Sequence, residues 1–161
     1  MNSKYMNIIE LKEREDISGN VKLSRIYIQF QELLKELRKR ELSEKVIDFV
    51  NQSIEDLNST ILTGDDLRKS VKRKQTEIIN LLVKELKIVP KHYYRNLWYI
   101  FTVPFVFLGF HIGRDTGGLL GIVMGIVMTI LFVFLMVYVL GAGLDKKAFK
   151  EGRQLEVDLK Y

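Results

Sequence analysis

The sequence has no cysteine, which excludes disulfides and thiolate metal sites and leaves the redox compartment unread. Histidine is nearly as scarce. His92 and His111 are the only two, and no carboxylates stand at ligand spacing from them. Neither a metal centre nor a cofactor is therefore expected. No glycine-rich loop follows a soluble strand, so a phosphate cradle is missing as well. Ser3, Ser18, Ser24, Ser43, Ser53, Ser59 and Ser70 all fall outside a nucleophile-elbow pattern. With no catalytic constellation, the chain reads as a non-enzyme. The first 30 residues lack a continuous apolar run of signal-peptide type, which keeps the N-terminal half on the cytosolic side.

Charge is missing from one long stretch. Of 25 basic and 20 acidic side chains, only Arg114 and Asp115 fall between Asn96 and Leu144. Such segregation points to two solvents, water and hydrocarbon, rather than one globular core. Two uncharged runs lie in that stretch, at about residues 97–113 and 117–144. At about 1.5 Å rise per residue, the shorter one is just able to cross a hydrocarbon layer and the longer one crosses with tilt. The link Arg114-Asp115-Thr116 is so short that the two spans must be antiparallel neighbours. Lys84, Lys87, Lys91 and Arg95 precede the hairpin and Lys146, Lys147, Lys150 and Arg153 follow it, whereas Arg114 is offset by Asp115. The positive-inside rule then predicts both termini in the cytoplasm of an inner, cytoplasmic membrane.

Four features of the spans stand out. Gly117, Gly121 and Gly125 recur every four residues and predict a close helix–helix contact, either with the first span or with another subunit. Tyr93, Tyr94, Trp98 and Tyr99 form an aromatic group suited to anchoring at the inner interface. His111 is a candidate polar or pH-sensitive position near the outer end, though the commoner role at that depth is an interfacial hydrogen bond. Pro104 removes a mid-span hydrogen bond, so a kink is expected. No ionisable group sits within either span, which counts against ion-coupled transport.

The N-terminal half reads as helices. Leu23, Ile26, Phe30, Leu33 and Leu37 follow 3-4-3-4 spacing, and so do Ile47, Val50, Ile54, Leu57 and Ile61. Ser43 is a candidate cap, and Gly64 a candidate helix stop. A third helix carries Val71, Ile78, Ile79, Leu82, Val83 and Leu86 and runs to about Val89, before Pro90. Net charge alternates along the three, with +4 over 21–40, −6 over 41–66 and +7 over 67–95, which suits an antiparallel bundle. Arg68, Lys69, Lys72, Arg73 and Lys74 are a candidate contact for anionic lipid, against the plainer reading of a solvated face offset by the acidic helix. Nucleic acid is not expected, because no groove-reading motif or aromatic interleaving accompanies them. Residues 4–16 are a weakly helical candidate for docking. Leu155 to Tyr161 alternates with period two but meets no strand partner in the sequence, so an unpaired tail, or a helix starting at Lys146, is expected there.

The fold class that emerges is all-α: a cytosolic three-helix bundle or helical hairpin, followed by a two-helix transmembrane hairpin. The parts are an arm at 1–20, a helical domain at 21–92, the hairpin at 93–144 and a tail at 145–161. The expected role is that of an oligomerising membrane anchor or scaffold. Its expected partners are the lipid bilayer, a second copy, and a protein bound through the helical domain or tail. An oligomeric pore, which the scarcity of polar groups in the second span disfavours, and an accessory subunit of a transport or secretion complex are the alternatives.

Overall fold

The structure, a computed structural model, describes residues 7–14, 17 and 19–157, apart from the side chains at 99, 101–103 and 116. Among the described residues it is all-α. Its elements are α1 (Val21–Arg38), α2 (Glu44–Ser59), α3 (Gly64–Leu86), α4 (Tyr93–Phe134), a π-helical segment (Leu135–Gly141) and α5 (Ala142–Lys150). The chain divides into two compact units. The first holds residues up to Pro90 together with 155–157, and the second is Lys91–Gln154.

The first unit is a helical bundle built on the apolar seams. Asn20 starts α1, its side-chain oxygen accepting the Lys22 and Leu23 N–H groups at 3.1 Å each. Leu23, Phe30, Leu33 and Leu37 are fully buried, as are Val50 and Ile54 of α2 and Val71, Ile78 and Leu82 of α3. Both α1 and α2 pack on α3 and scarcely approach one another. The charge alternation is used between α2 and α3, where Lys74 meets Asp56 at 2.6 Å and Lys45 meets Glu85 at 2.8 Å.

Several boundaries differ from the sequence reading. Ile61 lies beyond the end of α2 and is 93% exposed, so the second seam closes at Leu57. Gly64 begins α3 rather than stopping α2, and Ser43 precedes α2 without a side-chain cap bond. α3 stops at Leu86, ahead of Pro90, because Lys87 turns left-handed (φ 56°) and the Ile88 N–H folds back to the Leu82 carbonyl at 3.3 Å.

Both ends of the first unit depart further. Residues 7–14 form no helix; they run extended along the bundle with Ile8 and Leu11 buried in its core. The tail after α5 is not unpaired over its described part. Leu155 and Val157 are buried in the same core, and the Leu155 N–H donates to the Val89 carbonyl at 2.9 Å. Period-two alternation turns these two side chains inward, and the partner is a short extended stretch ahead of Pro90 rather than a strand. A helix over Lys146 does exist, as part of α5.

Candidate functional site

In the second unit, α4 is two limbs joined at a break. The backbone keeps helical φ/ψ through Pro104, and the break lies farther along. It falls at Gly117 (φ −160°, ψ 21°) and Gly118 (φ 56°, ψ −134°). Gly118 adopts a left-handed conformation that strongly favours glycine, whereas Gly117 is simply extended. Arg114, Asp115 and Thr116, expected to form the link, instead continue the first limb.

The second limb folds back along the first, and glycine makes the approach possible. A Cβ on Gly113 would lie 2.8 Å from the Gly121 carbonyl carbon and 2.9 Å from the Ile122 Cα. One on Gly109 would lie 2.9 Å from the Gly125 carbonyl oxygen and 3.2 Å from the Thr129 Cβ. One on Gly125 would run into the Gly109 carbonyl. Farther along, a Cβ on Gly141 would sit 3.0 Å from the Arg95 Cα and 3.1 Å from the Trp98 ring. Partners fall in number on one limb as they rise on the other, so the limbs are antiparallel. Phe105 and Phe132 flank the seam with ring centroids 5.4 Å apart.

The Gly121 and Gly125 backbones thus lie against Gly113 and Gly109 of the same chain. Gly117 is not a contact residue: it lies at the break, with nothing within 4 Å of a Cβ placed on it. The four-residue rhythm passes through it only by coincidence with the turn. Gly109 and Gly113, also four apart, were missed; that same small-residue spacing in the first run was the signal that could have found them. Thr129 continues the rhythm, donating its hydroxyl to the Gly125 carbonyl at 2.8 Å.

Carried on at four-residue steps, the seam reaches Val133, Val137, Gly141 and Asp145. Val137, Gly141 and Asp145 are buried. On an α-helix a strict four-residue row drifts around the axis by about 40° per step. The π-helical segment takes one residue more per turn and removes part of that drift, which keeps Gly141 and Asp145 on the seam. Asp145 is only 6% exposed, and its carboxylate accepts the Tyr94 N–H at 3.0 Å and the Arg95 N–H at 3.3 Å. It thus caps the start of α4 from a residue some 50 positions away, where His92 supplies no side-chain cap. A carboxylate there is favoured by both the open N–H groups and the positive end of the helix. The sequence reading did not single out this residue.

Tyr93, Tyr94 and Trp98 gather at this base, half-buried, with the Tyr93 and Tyr94 rings edge-to-face at 5.3 Å; the Tyr99 side chain is outside the described residues. Just past α5, the Arg153 Nε donates to Glu151 at 2.8 Å, and this bond holds the Glu151 carboxyl below the ordinary range and lifts the Arg153 guanidinium. His111 is exposed on the first limb, in edge contact with Phe110 at 6.0 Å. It is not on the glycine seam.

Of the five candidate lipid-contact residues on α3, four sit beside acids: Arg68 with Asp65 (3.0 Å), Lys69 with Asp66 (3.2 Å), Arg73 with Glu77 (3.8 Å) and Lys74 with Asp56 (2.6 Å). Lys72 is exposed. Among the described residues no three of His, Asp or Glu converge to hold a metal ion.

The outer surface of the hairpin is its other feature. Among the described residues, 23 of the 28 large apolar side chains that stand exposed lie between Leu97 and Leu144. The stretch Gly117–Lys150 is long and apolar enough to cross a membrane, and only 11% of its most apolar window is buried in the protein. Comparisons with protein families, curated proteins and solved structures find no match to this chain.

Proposed function

We propose that this chain is a membrane-anchored docking protein, with the α4–α5 hairpin as a two-span anchor and the helical bundle as its water-exposed docking unit. The observation that carries this reading is the exposed apolar surface from Leu97 to Leu144. A soluble protein rarely leaves contiguous apolar patches beyond a few hundred Å² uncovered. Hydrocarbon is the solvent in which such a surface carries no penalty, and close backbone packing through small residues is how helices associate there. The first limb, residues 93–116, is about 36 Å long at the α-helical rise, enough for a hydrocarbon layer of about 30 Å. Basic residues cluster at the two ends of the hairpin and are nearly balanced at its turn, which favours cytoplasmic termini.

The anchor's glycine face is occupied within the chain. Any assembly of copies would therefore use the outward surface, where Phe107, Met124, Met128 and Leu131 stand exposed. Membranes from cells expressing the protein, washed with alkaline carbonate, test the anchor. The protein is expected to stay in the pellet and to need detergent for release; release by carbonate alone contradicts the reading. Crosslinking in the same membranes tests assembly, for which a ladder of multiples is expected and a sole monomer band is the contrary result.

A further inference from the structure

The bundle holds its own N-terminal arm in a way that resembles ligand recognition more than core packing. Asn51 and Asn58 are seven residues apart on α2, hence on one face two turns apart. Each grips the arm main chain with both ends of its amide. Asn51 accepts the Ile9 N–H at 3.0 Å and donates to the Asn7 carbonyl at 3.3 Å. Asn58 accepts the Lys12 N–H at 2.9 Å and donates to the Glu10 carbonyl at 3.0 Å. From the opposite wall, Arg38 of α1 donates to the Ile9 carbonyl at 2.9 Å and the Ile8 carbonyl at 3.3 Å, and the Tyr27 hydroxyl donates to the Lys12 carbonyl.

All of these bonds go to backbone groups of the arm. Of the arm's own side chains, Ile8 and Leu11 are buried, at 7% and 8% exposed, Ile9 packs against the core in part, and Arg14 donates to the Thr60 and Leu62 carbonyls at 3.0 and 2.9 Å. Because α1 and α2 scarcely approach one another, the arm lies along a groove walled by both helices. A groove that reads chiefly an extended main chain and two aliphatic side chains three apart places little demand on the arm's other positions, Arg14 excepted.

We infer that the α1–α2 groove is a peptide-binding site, occupied in the free protein by residues 7–14. Its partner is an extended polypeptide segment carrying two aliphatic residues three apart, which displaces the arm. The arm acts as a resident competitor, because a tethered segment has an effective concentration in the millimolar range. The inference concerns the bundle alone and stands whether or not the hairpin crosses a membrane.

The probe is a fluorescent peptide of sequence NIIELKER, added to the full chain in detergent micelles and followed by anisotropy. Wild type binds it weakly against its own arm. In the full chain carrying Ile8→Ala and Leu11→Ala the arm loses its two anchors while the groove is intact, and affinity is expected to rise roughly tenfold or more. Adding Asn51→Ala and Asn58→Ala is expected to abolish that gain, and a peptide with serine in place of both aliphatic residues is expected not to bind. A second measurement uses unmodified protein. Hydrogen exchange at the Ile9 and Lys12 amides is expected to accelerate under saturating peptide while α3 amides stay protected. Equal affinity for wild type and the arm variant, or unchanged exchange at Ile9 and Lys12, overturns the proposal. So does failure of the arm variant to fold, since the arm is then part of the core rather than a ligand.

Discussion

The bundle and the hairpin place their large side chains in opposite ways. In the bundle, Phe30, Leu33, Leu37, Ile54 and Leu82 are buried together, and its glycines lie at turns. In the hairpin the seam is Gly109, Gly113, Gly121, Gly125 and Gly141, while Phe107, Leu120 and Leu131 point outward. In water, burying large apolar groups is the main gain, at about 25 cal/mol per Å². Between helices in hydrocarbon that gain vanishes, because lipid is as apolar as leucine, and backbone proximity decides instead. On the proposed reading, the two patterns suit different solvents for two parts of one chain.

The strongest way to break the comparison is to remove bulk from the bundle. Phe30→Ala is expected to destabilise the bundle by about 3–5 kcal/mol in denaturant titrations followed by far-ultraviolet dichroism. Its counterpart adds bulk to the hairpin. Gly113→Val places side-chain atoms where the Gly121 backbone already lies, and a loss of about 1–3 kcal/mol is expected. Trp98 is the sole tryptophan and packs beside Gly141, so its fluorescence reads the hairpin separately. Gly143→Ala, at a site with nothing within 4 Å, is the control and is expected to leave that signal unchanged.

Asp145→Ala sharpens the account of the hairpin base. Two N–H groups at the start of α4 lose their acceptor, and about 1–2 kcal/mol of hairpin stability is expected to go with them. The smallest effect is an acid limb in the bundle. The hydrogen bond from Lys45, and then its charge, hold the Glu85 carboxyl below its ordinary range. A group with a depressed folded pKa adds stability above its unfolded pKa and loses it as pH falls through the folded one. A slight fall in bundle stability is thus expected below about pH 4, beneath the ordinary glutamate value. Lys45→Ala is expected to flatten that part of the melting-temperature profile.

These contrasts also explain what could be read in advance. The seams of α1, α2 and α3 were legible because large apolar residues at helical spacing have one economical solution, burial against each other. The uncharged stretch was legible for the complementary reason. The turn was not, because a four-residue glycine rhythm runs on through Gly117, and a sequence does not mark which glycine has turned left-handed. The arm was legible only in part: residues 4–16 read as a docking segment, but as a weakly helical one and without its groove. Its grip comes from Asn51 and Asn58 on main-chain atoms, which every residue carries, so no pattern in residues 7–14 announces it. Asp145 resembled any charge just past a span, and only the return of α5 to Tyr94 gives it a partner. Leu155 and Val157 showed their alternation plainly, but the Val89 carbonyl that receives the Leu155 N–H lies 66 residues away.

The most direct test labels single cysteines, introduced into a chain that has none, with a membrane-impermeant maleimide on intact and on opened inside-out vesicles. The account predicts that Asp115→Cys reacts from the face opposite to Lys147→Cys, and that Met124→Cys reacts from neither until detergent is added. Labelling of all three positions from the same aqueous side, without detergent, would contradict it.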